Sequence, residues 1–195
     1  MRKRNILIIL LVAVGILGLV LVEGYIKPRM KAQEERYIAE QADPLTHDFG
    51  RLLKFKSPYM GDASNLANLN ANLPLGEIPK RFQLHPDSLM AEIYYQATPT
   101  EFEEGLFEQA LIYAATANFV LIGNLDTLVL NYQGISYTIS RCVLEGCYGL
   151  DLSALQNEEK WAEMVQRPLK DRSYVKSFIA ESFAIQPYIM PDDIF

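Results

Sequence analysis

The sequence predicts an α+β fold: an N-terminal transmembrane helix, then one small domain whose antiparallel sheet of two hairpins is covered by helices. Three observations predict it. Residues 6–22, "ILIILLVAVGILGLVLV", carry no charge and no strongly polar side chain. Two later segments alternate apolar and polar residues on either side of a turn, which is the β period. Between and after them, apolar residues recur at three- and four-residue spacing, which is the helical period.

The apolar run of 17 residues would extend about 25 Å as a helix, at the short end of what crosses a bilayer. Tyr25 and Ile26 can extend it to an interface. Arg2, Lys3 and Arg4 precede it. An uncleaved signal anchor is preferred to a cleaved signal peptide, because the run exceeds a usual h-region, although Val22-Glu23-Gly24 offers a cleavage point. A short basic tail stays inside, so the expected location is the cell membrane, single-pass, with the C-terminal domain extracytoplasmic. Residues 1–27 are read as the anchor, 28–45 as a charged spacer and 46–195 as the extracytoplasmic domain. Lys27, Arg29, Lys31 and Arg36 after the run soften the charge asymmetry.

Formal net charge is −6 over 195 residues. The first 27 carry Arg2, Lys3, Arg4 and Lys27 against Glu23, a net +3 that leaves −9 for the rest. An acidic domain repels phosphate backbones, so no nucleic acid is expected as a partner. Eleven Tyr and nine Phe favour a packed core over disorder.

In the segment "SPYMGDASNLANLNANLPL", Gly, Asp, Ser and Asn crowd into a few positions and look catalytic. Each also has a plainer role. Asp62 caps a helix beginning at Ala63. Leu66, Leu69 and Leu73 share one face, Gly61 permits a turn, and Pro74 helps to end the helix. A serine nucleophile needs a base, and His47 and His85 are both distant in sequence. No Cys/His/Asp cluster stands beside either histidine, so neither a metal nor a cofactor is expected.

Phe82 and Leu84 alternate with polar residues, His-Pro-Asp-Ser turns, and Leu89, Ala91, Ile93 and Tyr95 return, giving strands at roughly 81–86 and 89–96. Thr98, Pro99 and Glu101 form a capping box before a helix through Leu106, Phe107, Ala110, Leu111, Ala114 and Ala117 to Val120, ending at Gly123. A second hairpin turns at Gln133-Gly134 between strands at 127–132 and 135–141. Cys142 and Cys147 flank Glu145-Gly146; a turn there would allow a disulfide, against the alternative of two reduced thiols. "NEEKWAEMVQRP" and "RSYVKSFIAESFAI" read as two helices, and Pro187 and Pro191 close the chain without strong structure.

Three segments resemble the bacterial family known as domain of unknown function 4825: "FKSPYMGDASNLANLNANLPL", "ANFVLIGNLDTLVLNY" and "YTISR". The first is the most specific, and it places Tyr59, Gly61, Asp62, Ser64, Asn65, Leu69, Leu73 and Pro74 in the family's motif as structural residues. The likeness covers roughly residues 53–141. It implies a membrane-attached extracytoplasmic domain of Gram-positive bacteria, found singly or joined to antirepressor-type membrane sensors, with no activity assigned.

Two classes of function follow. The preferred one is a tethered binding or sensory domain, not an enzyme, with a protein partner in the membrane or envelope. The alternative is a cell-envelope hydrolase using Glu101, Glu103, Glu104 and Glu108 as paired carboxylates. The same residues near a helix start also favour plain stability.

Overall fold

In the computed structural model, residues 2–191 and 194 are described, with the side chains of residues 2–4, 9, 10 and 12–14 excepted. Residues up to Glu40 and residues from Gln41 form two separate units.

In the first unit, helix α1 runs Arg2–Leu21, a π-helical turn Val22–Ile26 follows, and α2 runs Lys27–Ala42. Among the described residues no helix is long and apolar enough to cross a membrane. This overturns the expected transmembrane anchor, and with it the single-pass membrane location. The physical reason is length. Four polar residues open α1, and Ile6–Leu21 then covers about 24 Å against a hydrocarbon core of about 30 Å. The regular helix stops at Leu21, where the π turn brings in Glu23. Helix α2 buries no residue. Pairs four residues apart support it, Lys31–Glu35 at 3.7 Å and Arg36–Glu40 at 2.8 Å.

The second unit is built on a five-stranded sheet in the order β1-β2-β3-β4-β5. The strands are β1 Lys80–His85, β2 Met90–Tyr95, β3 Thr127–Tyr132, β4 Gly134–Ser140 and β5 Ala184–Tyr188. Both hairpins form, β1 with β2 and β3 with β4, each antiparallel. The sheet as a whole is mixed, because β2 and β3 run parallel. That corrects the expected antiparallel sheet. Helix α4, Leu106–Leu121, carries the chain back across the sheet, so β3 must start at the end where β2 started. A second departure is β5, which pairs antiparallel with β4 where no strand is expected. Pro187 is tolerated because β5 is an edge strand.

The core lies on one face of this sheet. Ala91, Ile93, Tyr95, Leu128, Leu130, Tyr132, Tyr137 and Ile139 point into it and meet the helices. Thirteen of the sixteen residues of α4 are buried, so it is a central helix and not a surface one with a single apolar stripe. Its alanines allow close approach. Rings fill the space between: Tyr95 stacks on Tyr132 at 4.5 Å, and Phe107 meets Tyr132 edge-on at 4.9 Å.

Helix α3, Ala63–Ala71, packs on α4 through Leu66 and Leu69, both fully buried. Asn70 and Asn118 meet there as a reciprocal amide pair, at 2.9 and 3.1 Å. Each also donates to the carbonyl four residues back, Leu66 or Ala114. Helices α5 (Arg141–Tyr148), α6 (Glu158–Trp161) and α7 (Arg172–Ser182) complete the layer. Asn157 and Asp171 cap the last two through the amides of Lys160 and Ser173. Opposite the core, the sheet carries a polar face with Arg81, Gln83, Glu92, Asn131, Ser136 and Gln186, as the two-residue side-chain period requires.

Candidate functional site

The three motif segments are far apart in the chain and meet at the C-terminal end of α4. The meeting begins with backbone. Ser57 forms a one-residue parallel bridge with Ile122, its amide donating to Leu121 O at 2.8 Å and its carbonyl accepting from the Gly123 amide at 2.8 Å. Gly123 is needed for this approach. A Cβ there would stand 3.3 Å from Pro58 Cα, against backbone that cannot yield easily.

Side chains then fix the loop. The Met60 amide donates to Asn124 Oδ1 at 2.6 Å, and the Met60 side chain is buried. Asn65 Nδ2 donates to Phe55 O at 2.6 Å, tying the first turn of α3 to the residues before the loop. Asp62 caps α3 as expected, accepting from the Asn65 amide at 3.0 Å. Ser57 Oγ bonds both the amide and the carbonyl of Tyr59. Leu69 and Leu73 are buried beneath, and Pro74 follows the end of the helix. Gly61 and Ser64 stay on the surface.

The third segment supplies the lock. Arg141, the last residue of "YTISR", sends Nε to Leu125 O at 2.8 Å. Its Nη2 donates to Phe119 O at 2.9 Å and to Ile122 O at 2.8 Å. A guanidinium thus neutralises the negative end of α4 and satisfies carbonyls that the helix leaves open. Burial draws the Arg141 pKa down from its ordinary value, and the nearby Glu145 opposes that. Sequence reasoning missed this role. The signal available was a single arginine directly after an alternating strand.

His47 is buried, with Nε2 donating to Asn72 O at 2.8 Å and Nδ1 2.8 Å from the Tyr113 hydroxyl. That pattern makes Nδ1 the acceptor and the ring neutral, and burial lowers its pKa. Neither ring nitrogen is directed at Ser57 or Ser64. His85 stands against Glu92 on the polar face. Among the carboxylates of the hydrolase alternative, Glu101 accepts from the Thr98 amide and hydroxyl in the capping box, and Glu104 lies 3.5 Å from Arg172. Among the described residues no group of three or more His, Cys, Asp or Glu is placed to hold a metal ion.

Cys142 and Cys147 are free and exposed. The turn that would have joined them is absent, since both lie on α5. Five residues along a helix separate their Cα atoms by roughly 8–9 Å, too far for a bridge without moving backbone.

What the junction leaves unused is Tyr59. It is 69% exposed, beside Met60 at 1%. Its backbone is held from both sides while its ring stands in solvent.

The family described as a domain of unknown function (DUF4825) matches residues 52–141, which span all three converging segments. No curated protein and no solved structure matches the chain.

Proposed function

We propose that this chain, whose residues 52–141 match the domain-of-unknown-function family 4825, is a binding module that engages a protein partner through the loop around Tyr59. The observation that carries this is the contrast inside the loop. Ser57, Met60, Asp62 and Asn65 are all bonded within the fold, and Tyr59 alone presents a large side chain outward. An exposed tyrosine on a held backbone makes a good anchor. Its ring brings large contact area, and little freedom is lost on binding because the loop is already ordered. Pro58 beside it is also exposed and stiffens the chain further.

The test compares Tyr59→Ala with the parent chain. The variant should melt as the parent does and should fail to co-purify the proteins that the parent retains from the cells that make it. Retention of the same proteins by Tyr59→Ala at equal stability removes the proposal.

A further inference from the structure

The second unit opens with a strap, residues 43–53, that one buried histidine ties down. Helix α2 ends at Ala42. At the other end the 3₁₀ helix Phe49–Phe55 leads to Ser57, which the bridge to Ile122 fixes. Within the strap, Asp43 Oδ1 accepts from the Leu45 amide at 2.8 Å and Asp43 O from the His47 amide at 2.9 Å. Those bonds shape the strap and do not attach it. Attachment comes from Gln166, whose Nε2 donates to Pro44 O at 3.0 Å and His47 O at 2.9 Å, and from the His47 ring. That ring reaches two elements at once, Asn72 O just past α3 and the Tyr113 hydroxyl of α4. Beyond it Phe49 stacks on Trp161 at 3.8 Å, and Leu52 is buried.

This geometry suits one charge state. With Nε2–H on a carbonyl, Nδ1 must accept from Tyr113, so the ring is neutral. A second proton would turn Nδ1 into a donor aimed at the hydroxyl oxygen. The hydroxyl would then have to turn its own proton away from its acceptor. Trp161, edge-on to Tyr113 at 4.9 Å, cannot take that proton, because an indole N–H is a donor only. Protonation therefore costs a buried hydrogen bond as well as a buried charge. Burial lowers the His47 pKa; the bond to Asn72 O and the neighbouring Asp48 oppose this without cancelling it. The other charged groups about the strap are Asp43 and Glu158, whose carboxylate stands against Gly50.

We propose that His47 is an acid-sensitive latch: uptake of one proton by its ring releases residues 43–53 from the domain and uncovers Trp161. A released ring titrates near its ordinary value of about 6.5, and the latched ring only in stronger acid. Release is therefore favoured by up to about tenfold for each pH unit below that value, and above it the latch holds. The opening is local. The strap is the leading segment of its unit and contributes no strand, so it can leave while the sheet stays paired.

Trp161 is the one tryptophan of the chain and lies beneath the strap, which makes it a built-in reporter. Its emission maximum is followed in the full chain from about pH 7.5 to about pH 5, above the range where ordinary carboxylates titrate. Hydrogen exchange, corrected for the intrinsic effect of pH, is read by segment over the same range. The parent should shift to the red with a midpoint below about pH 6.5. The His47 amide and the 3₁₀ helix should lose protection by up to about tenfold per pH unit, while β2 and β3 keep theirs. His47→Gln retains a donor and an acceptor and has no group to titrate, so its emission should not change with pH. His85→Gln should follow the parent. An unchanged parent emission down to about pH 5 overturns the latch. Equal loss of protection in strap and sheet, which is acid unfolding of the whole domain, overturns it too. So does a parent-like shift in His47→Gln, or its disappearance in His85→Gln. The exchange pattern of the parent decides between local and global opening whether or not either variant folds.

Discussion

Polar side chains gather at two places in this domain, and they behave differently. At the motif junction they bond backbone: Asn124 to the Met60 amide, Asn65 to Phe55 O, Arg141 to three carbonyls. On the polar face they bond one another: Tyr94 to Glu92, Asn131 to Glu92, with His85 alongside. A side chain that bonds backbone fixes the path of the chain, and its loss is felt as stability. A side chain that bonds side chains shapes a surface.

The largest way to break both regions at once is alkali. Burial pushes Tyr95, Tyr113, Tyr132 and Tyr148 well above the ordinary phenol value, and burial with the neighbouring Glu92 does the same to Tyr94. Above pH about 10 the unfolded chain releases protons that the folded chain keeps, so stability falls as pH rises past that value. Urea midpoints should drop steeply above pH about 10; a midpoint that does not fall by about pH 11 contradicts the burial of these hydroxyls.

Next comes Arg141→Ala. Phe119 O and Ile122 O at the end of α4, and Leu125 O in the loop that follows, lose a charged donor, and about 3 kcal/mol of unfolding free energy should go with it. A loss below about 0.5 kcal/mol in urea unfolding would mean that the junction is held by backbone alone. Asn118→Ala follows at about 2 kcal/mol, since Asn70 is left buried with one partner removed. The double variant with Asn70→Ala should lose less than the two single losses added, which a double-mutant cycle reads directly.

Asp62→Ala should cost about 1 kcal/mol, the usual worth of an N-cap. A parent-like melting curve would deny the cap. Smallest is Tyr59→Ala, expected within about 0.5 kcal/mol of the parent because the ring is in solvent. A larger loss would show that Tyr59 supports the loop and would weaken its reading as an anchor.

Much of this domain was legible locally. The Asp62 cap, the capping box at Thr98, the turn at Gln133-Gly134 and the four hairpin strands depend on residues a few positions apart, and all form. The errors were of another kind. Whether β2 and β3 run parallel depends on where α4 leaves and returns, which no residue of either strand encodes. Strand β5 exists because β4 has an edge to offer, and "AIQPY" alone has too little apolar alternation to announce it. The membrane helix failed on a count of a few residues at its ends, where a change of helix type and a few polar side chains decide the length. The cysteine turn failed because Arg141–Tyr148 is a helix.

By itself the sequence determined the elements with local causes, the acidic charge, the capping role of Asp62 and the motif that marks the family. Only the tertiary structure decided that the three motif segments meet, that Arg141 closes the end of α4, and that Gln83, His85 and Glu92 share one spot on the polar face. The physical reason is range. Caps and turns arise from hydrogen bonds between neighbours, whereas convergence depends on loop closure and burial summed over the whole chain, where no single residue carries the signal.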